Sequence, residues 1–165
     1  MANQSAGILL YRSKVNIVEV LLVHPGGPFW AKKDDGAWSI PKGEFSEDED
    51  PFEAAKREFL EETGTHVDGK FTPLGSVKQP GGKVVYAWAL KGDCDPSTIK
   101  SNTFVLQWPP GSGKEQEFPE VDRAGWFAPA TARKKILKGQ VVFIDRLLNA
   151  VAKETDSEKE PAGEQ

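Results

Sequence analysis

The chain has 165 residues, of which 38% are hydrophobic and 28% charged, an ordinary balance for one soluble domain with a buried core. No apolar run is long enough to span a membrane, and the N-terminus lacks the basic start and cleavage pattern of a signal peptide. The net charge of −4 argues against a nucleic-acid polymer as partner, and a single cysteine excludes an internal disulfide. We expect a cytoplasmic protein that does not associate with membranes.

The first part of the chain is predicted to form strands separated by loops. Residues 5–12 and 17–24 are rich in Ile, Val and Leu and are expected to be β-strands. Residues 25–37 and 42–49 carry the Gly, Pro and acidic residues typical of loops, with a short extended piece at 38–40 between them.

A helix is predicted for residues 51–63. Asp50 suits its N-cap, Pro51 its first position, and Gly64 its C-terminal stop. At about 100° per residue, one apolar stripe faces the core. That stripe consists of Phe52, Ala55 and Phe59.

Two strands are predicted next, at 74–79 and 83–91, joined by the hairpin signal Pro-Gly-Gly. Residues 92–119 are expected to be a long irregular segment, either functional or incorrectly assigned, because such loops are rare in compact domains.

The C-terminal part is predicted to hold a short strand at 126–127 and helices at 129–137 and 140–152. Mixed strands with interspersed helices predict an α/β or α+β sandwich with helices on both faces of the sheet. We expect one domain over residues 1–152 and a disordered acidic tail at 153–165.

Three glutamates crowd one arc of the predicted helix, beside its apolar stripe. Glu58 and Glu62 lie one turn apart, and Glu61 lies between them, without a lysine at these positions to form pairs. A divalent cation would relieve their repulsion, and carboxylates suit Mg²⁺ or Mn²⁺. The alternative is a plain solvated acidic face.

The residues from Gly43 to Gly64 read G-x5-E-x7-R-E-F-L-E-E-T-G. This pattern resembles the Nudix box, the signature of the Nudix hydrolase superfamily. Thr65 is the one departure, since the family usually has an aliphatic residue there. The resemblance implies an α/β/α sandwich with a mixed sheet and hydrolysis of a nucleoside diphosphate linked to another moiety.

The resemblance also implies roles for the residues of the motif. Glu58, Glu61 and Glu62 are expected to bind one or more Mg²⁺ ions, with Glu58 as a candidate general base. The backbone carbonyl of Lys42 is expected to be a further metal ligand. The Lys42 side chain is expected either to meet a substrate phosphate or to be a solvated lysine.

Two charged residues of the motif are expected to shape the catalytic segment. Arg57 presents a planar fork for an ion pair with Glu49 or a contact with Glu58. Gly43 is expected to allow a tight turn.

Outside the motif, Glu120 resembles the extra glutamate that many family members place ahead of an aromatic strand residue, here Trp126. It is a candidate metal ligand or base. Glu115 and Glu117 are the competing candidates, and a plain surface glutamate is the simplest alternative.

The segment from Trp38 to Gly43, W-x-x-P-K-G, is similar to the lead-in of diadenosine-polyphosphate hydrolases and of diphosphoinositol-polyphosphate hydrolases. Trp30 and Trp108 lie in predicted loops, where aromatic side chains either stack on a nucleobase or cover the core. The preferred expectation is therefore a dinucleoside polyphosphate such as diadenosine tetraphosphate.

Two alternative functions are compatible with these residues. One is an enzyme of the same class that acts on a nucleoside triphosphate or on ADP-ribose. The other is a Nudix module that binds a nucleotide without catalysis, although such modules typically lose the glutamates that this chain keeps.

Overall fold

The computed structural model describes residues 4–159, and the side chains of residues 4–154. Its strands are β1 (Gln4–Lys14), β2 (Ile17–Pro25), β3 (Lys42–Glu44), β4 (Phe71–Lys78), β5 (Val84–Lys91), β6 (Thr103–Gln107), β7 (Glu115–Pro119) and β8 (Val121–Phe127). Its α-helices are α1 (Pro51–Thr63), α2 (Pro129–Lys135) and α3 (Val141–Lys159). Short 3₁₀ turns lie at Pro96–Thr98 and Lys138–Gln140.

Six strands form one mixed sheet in the order β4-β5-β1-β2-β8, with β3 paired to the N-terminal part of β1. Strands β1 and β5 are parallel, whereas the other pairs are antiparallel. Strands β6 and β7 form a separate antiparallel hairpin.

Alternate residues of β1 bury against opposite layers of helices. Ile8 and Leu10 pack with Phe59 of α1, whereas Leu9 packs with Phe143 and Ile144 of α3. Because successive side chains of a strand point to opposite faces, these two clusters define helices on both sides of the sheet. The predicted sandwich with a mixed sheet is confirmed.

Helix α1 begins and ends where the sequence predicts. The Asp50 carboxylate accepts a hydrogen bond from the Glu53 amide at 3.1 Å, and Pro51 opens the helix. Gly64 has φ of 76° and donates its amide to the Leu60 carbonyl at 2.7 Å. Glycine adopts this left-handed conformation without a steric penalty, so it ends the helix.

The predicted irregular segment 92–119 is partly regular. The β6–β7 hairpin occupies much of it, with Phe104 opposite Phe118. The proline- and glycine-rich tip between the two strands hides this pairing from a sequence pattern. Strand β3 is a second difference, since it lies within the predicted loop 42–49.

The C-terminal helix is longer than predicted. Helix α3 continues to Lys159, past the expected domain end at 152, so residues 153–159 are helical where a disordered tail was predicted. Lys and Glu favour helix and extend it past its last apolar residue. Tyr11 of β1 donates a hydrogen bond to Glu154 at 3.3 Å. Residues 160–165 lie outside the described residues.

Among the described residues, no helix is both long and apolar enough to cross a bilayer.

Candidate functional site

The Glu58 carboxylate packs directly on the backbone of strand β3. It is 8% exposed, and a Cβ atom added to Gly43 would overlap it. Gly43 lies within strand β3, opposite Ala6, and does not have a left-handed φ, so the tight turn predicted at this residue is not observed. The glycine is needed because the carboxylate of helix α1 approaches the strand too closely for any side chain there.

Arg57 joins the acidic residues of this region. Its Nε and Nη2 atoms donate to Glu49 at 2.7 and 2.9 Å, which confirms the predicted ion pair. Its Nη1 atom donates to Glu58 at 2.6 Å and to Glu61 at 2.9 Å. These bonds, first of all those to Glu49, raise the pKa of Arg57. Arg57 therefore ties the loop before helix α1 to two of its glutamates.

Glu62 contacts strand β3 at Lys42, the residue before Gly43. The Lys42 amide donates to Glu62 Oε1 at 3.1 Å. Burial raises the pKa of Glu62 to about 8, although this hydrogen bond and the Lys42 charge both favour the ionised carboxylate. Burial also lowers the pKa of Lys42, assisted by nearby Lys83.

A cavity of about 200 Å³ opens beside these two residues. Its lining includes Trp30, Lys42, Glu62 and Glu120. Four side chains that sequence analysis selected from distant parts of the chain therefore share one cavity.

Glu120 is held beside helix α1 by backbone hydrogen bonds. Its amide donates to the Asn102 carbonyl at 2.9 Å, and the Asn102 amide donates to the Glu61 carbonyl at 2.8 Å. Burial and the charge of Glu61 raise the pKa of Glu120. The competing candidates Glu115 and Glu117 are exposed on strand β7 and do not line the cavity.

The carboxylates of the motif and of Glu120 are close enough to repel one another, but they do not converge on a common ion position. The pKa of Glu58 is raised mainly by burial, with contributions from Glu61 and Glu120. In the described part of the chain, no three acidic, histidine or cysteine side chains are grouped as ion ligands. Arg57 engages Glu58 and Glu61, and the Lys42 amide engages Glu62, so the predicted convergence of the three glutamates is not observed.

The donor chemistry of this cluster nevertheless fits a hard divalent cation. Carboxylate oxygens are the ligands that Mg²⁺ and Mn²⁺ prefer. Burial is the main cause of the raised pKa values of Glu58, Glu62 and Glu120, and repulsion between carboxylates adds to it. A cation bound there would relieve that repulsion.

The two loop tryptophans have different environments. Trp30 lines the cavity, and Lys33 Nζ lies 5.5 Å from its ring centre. Trp108 does not line the cavity; its ring contacts Phe29 edge-to-face, with centroids 5.4 Å apart.

Sequence analysis missed two buried polar side chains that hold the walls of the cavity. Gln140 accepts from the Ile40 amide and donates to Ser39 Oγ, both at 3.1 Å. His24 is fully buried, with Nδ1 2.8 Å from Asp122 and Nε2 2.6 Å from the Lys33 carbonyl. His24 lies in an apolar strand, and the sequence has no signal that would indicate its partners.

Comparison with known proteins agrees with this geometry. The model of the NUDIX domain matches residues 1–147. No curated protein sequence matches the chain significantly. Among solved structures, a C. elegans Ap4A hydrolase binary complex aligns with TM-score 0.63 at 20% identity, over 93% of this chain and 99% of that one.

Two further solved structures have the same fold. The NUDIX domain of Shewanella oneidensis NrtR, complexed with ADP ribose, aligns with TM-score 0.62 at 16% identity, over 90% of this chain and 87% of that one. The M. smegmatis Nudix hydrolase RenU aligns with TM-score 0.55 at 21% identity, over 91% and 86% of the two chains.

The fold and the site define the class of Nudix hydrolases, which are pyrophosphohydrolases acting on nucleotide-type small molecules. Because the match to the NUDIX domain covers residues 1–147, this chain belongs to the NUDIX domain family.

Proposed function

We propose that this protein hydrolyses a diphosphate linkage in a dinucleoside polyphosphate such as diadenosine tetraphosphate, with Mg²⁺ or Mn²⁺ as cofactor. The observation that carries the proposal is the shared cavity, in which two carboxylates, Glu62 and Glu120, meet the cation of Lys42 and the ring of Trp30. Acidic groups for a metal, a cation for phosphate and an aromatic face for a base are the three components that such a substrate needs.

The proposed metal ligands are Glu58, Glu61, Glu62, Glu120 and the backbone carbonyl of Lys42. When bound there, a divalent cation neutralises phosphate oxygens and lowers the pKa of a coordinated water. The five groups come from helix α1, strand β3 and the residue before strand β8.

The other residues of the site position these groups or the substrate. Arg57 orients Glu58 and Glu61 through the 2.6 and 2.9 Å hydrogen bonds and is itself held by Glu49. The Lys42 ammonium binds a phosphate oxygen of the substrate. Glu58 is the proposed general base, because burial raises its pKa and so increases its affinity for a proton.

Two observations favour a nucleoside in the cavity. Trp30 presents a partly exposed ring at the cavity wall, and Lys33 lies beside it. Solved structures with this fold include an Ap4A hydrolase and a domain complexed with ADP ribose. We prefer the dinucleoside polyphosphate because of the W-x-x-P-K-G segment that ends at Gly43.

Nucleoside triphosphates and ADP-ribose are the alternative substrates of the same class. A nucleotide-binding module without catalysis is the alternative of another class. The observation in favour of this last alternative is that Glu58 and Glu61 both form ion pairs with Arg57.

A substrate panel separates these possibilities. The purified chain is incubated with diadenosine polyphosphates, ADP-ribose, nucleoside triphosphates and diphosphoinositol phosphates, in Mg²⁺ and in Mn²⁺, and the products are identified. AMP and ATP from diadenosine tetraphosphate would support the proposal. Activity confined to nucleoside triphosphates would overturn the substrate assignment, and no turnover of any compound would favour a binding module.

The variant Glu61→Gln tests the metal site. We expect kcat to fall by at least about 10²-fold, because a lost carboxylate ligand removes charge stabilisation in the transition state. Glu53→Gln is the matched control, since Glu53 is an exposed glutamate of the same helix paired with Lys56. Unchanged turnover of Glu61→Gln would contradict the proposed ligand role.

A further inference from the structure

An aromatic pair, the exposed Phe29 and the partly buried Trp108, lies outside the cavity, where the loop after strand β2 meets the β6–β7 hairpin. Phe29 is 62% exposed, although it directly precedes the cavity residue Trp30. The ring of Trp108, which follows strand β6, supports Phe29 edge-to-face at 5.4 Å. The edge-to-face contact fixes the Phe29 ring while much of its surface remains open to solvent.

This pair is anchored to the same structure that holds the cavity. The Gly26 amide donates to the Glu120 carbonyl at 2.9 Å. A Cβ atom on Gly27 would lie 2.9 Å from the Phe104 ring, so the loop packs tightly on the hairpin. Trp30 of this loop and Pro25 just before it line the cavity together with Glu120, so Phe29 belongs to a loop that forms part of the cavity wall.

The size of the cavity favours an additional contact surface for a substrate with two nucleosides. Its volume of about 200 Å³ is below the range of about 300–1,000 Å³ in which small-molecule sites bury their ligands. One nucleoside and the phosphates beside Lys42 would occupy it, so a second nucleoside would extend past its rim. The exposed side chains of Lys32 and Lys33 give this loop positive charge, which favours a polyphosphate chain beside it.

We propose that Phe29 and Trp108 form an outer subsite on which the second nucleobase of a two-base substrate stacks. This inference rests on the proposed function and specifies the substrate class. Stacking on an aromatic face accepts any base, so the subsite distinguishes dinucleotides from mononucleotides rather than adenine from guanine.

The test compares diadenosine tetraphosphate with adenosine tetraphosphate, which keeps the phosphate chain and lacks the second nucleoside. We expect Phe29→Ala to lower kcat/KM for the dinucleotide about tenfold more than for the mononucleotide, within the range expected for stacking of one base. Phe29→Tyr should restore the discrimination. Val142→Ala is the control, because Val142 is an exposed apolar residue of helix α3 and is 37% exposed.

Equal effects of Phe29→Ala on the two substrates, or no effect on either, would overturn the subsite. A wild-type protein that hydrolyses neither compound would instead contradict the proposed function. In that case the subsite is judged by quenching of tryptophan fluorescence with the same two compounds. Equal affinities of wild type and Phe29→Ala for the dinucleotide would then refute it, whereas selective weakening for the dinucleotide would support it.

Discussion

The Glu58 carboxylate has a defined position because two neighbours hold it from different directions. The backbone of Gly43 lies against one side, and Arg57 donates to Glu58 Oε2 at 2.6 Å. A buried carboxylate with a paired guanidinium loses much of its freedom to rotate. The close approach of the Glu58 carboxylate to the Gly43 backbone, together with its charge, therefore determines where the carboxylate points.

Gly43→Ala is expected to displace Glu58 and to lower kcat about 10²-fold, because a shift of about 1 Å in a catalytic group costs a factor of this size. Steady-state kinetics and thermal unfolding would be measured together. Gly92→Ala is the control, since its added methyl would meet only the end of the Leu10 side chain at 3.1 Å. Wild-type activity in Gly43→Ala would contradict the steric argument.

The raised pKa of Glu62 predicts that the stability of the metal-free protein depends on pH. Burial raises its pKa from the ordinary value of 4.5 to about 8. The folded chain then holds this proton more tightly than the unfolded chain, so the free energy of unfolding falls as the pH rises from about 4.5 to about 8. Below that range both states are protonated, and above it both are ionised.

Glu62→Gln should remove this part of the decline, because its amide does not ionise. Urea unfolding across the same pH range without divalent metal would measure the effect. The exposed control Glu53→Gln should keep the wild-type slope. A slope that Glu62→Gln leaves unchanged would exclude Glu62 as the titrating group.

Among the elements, the turn between strands β1 and β2 combines a favourable geometry with an unfavourable residue. Val15 and Asn16 have φ of 51° and 64°, the left-handed values of a two-residue hairpin turn. Asn tolerates this region, but a β-branched residue such as Val does not. Val15 is also 86% exposed, so its side chain gains little from packing.

Val15→Asn is expected to stabilise the protein by about 1 kcal/mol, because it relieves the backbone strain of a β-branched residue at positive φ. Chemical denaturation would measure the difference. Val15→Ala serves as the comparison, with a smaller gain, since Ala lacks the side-chain amide that favours turns. A loss of stability in Val15→Asn would show that the Val15 conformation is not strained.

At the scale of the whole molecule, the 3₁₀ turn before helix α3 braces the segment that leads to strand β3. Gln140 is fully buried and binds both Ser39 and Ile40, about a hundred residues away in the chain. The Leu137 amide also donates to the Trp38 carbonyl at 2.7 Å. These contacts hold the chain that places Lys42 at the cavity.

Gln140→Met should destabilise the protein by about 1–3 kcal/mol, because it leaves the buried Ile40 amide without an acceptor. Differential scanning calorimetry and urea unfolding would measure the change. Gln116→Met is the matched control, since Gln116 is exposed and its loss of one bond to the Trp108 carbonyl is compensated by water. Equal stability of the two variants would contradict a brace at Gln140.

Local signals predicted much of the framework. The caps of helix α1, its apolar stripe and four of the sheet strands were predicted near their observed positions, because capping and side-chain periodicity act between neighbouring residues. Strand β3 and the β6–β7 hairpin escaped prediction. A three-residue strand is too short for a periodic signal, and the hairpin has a long tip rich in proline and glycine.

The sequence by itself determined the family, the sandwich and the glutamates of the motif, since these depend on residue types at set spacings. Only the tertiary structure decided that Gly43 admits Glu58, that Glu120 rather than Glu115 reaches the cavity, and that Gln140 is buried. These outcomes depend on contacts between segments far apart in the chain. No local pattern encodes such distances, because they arise only when the layers pack together.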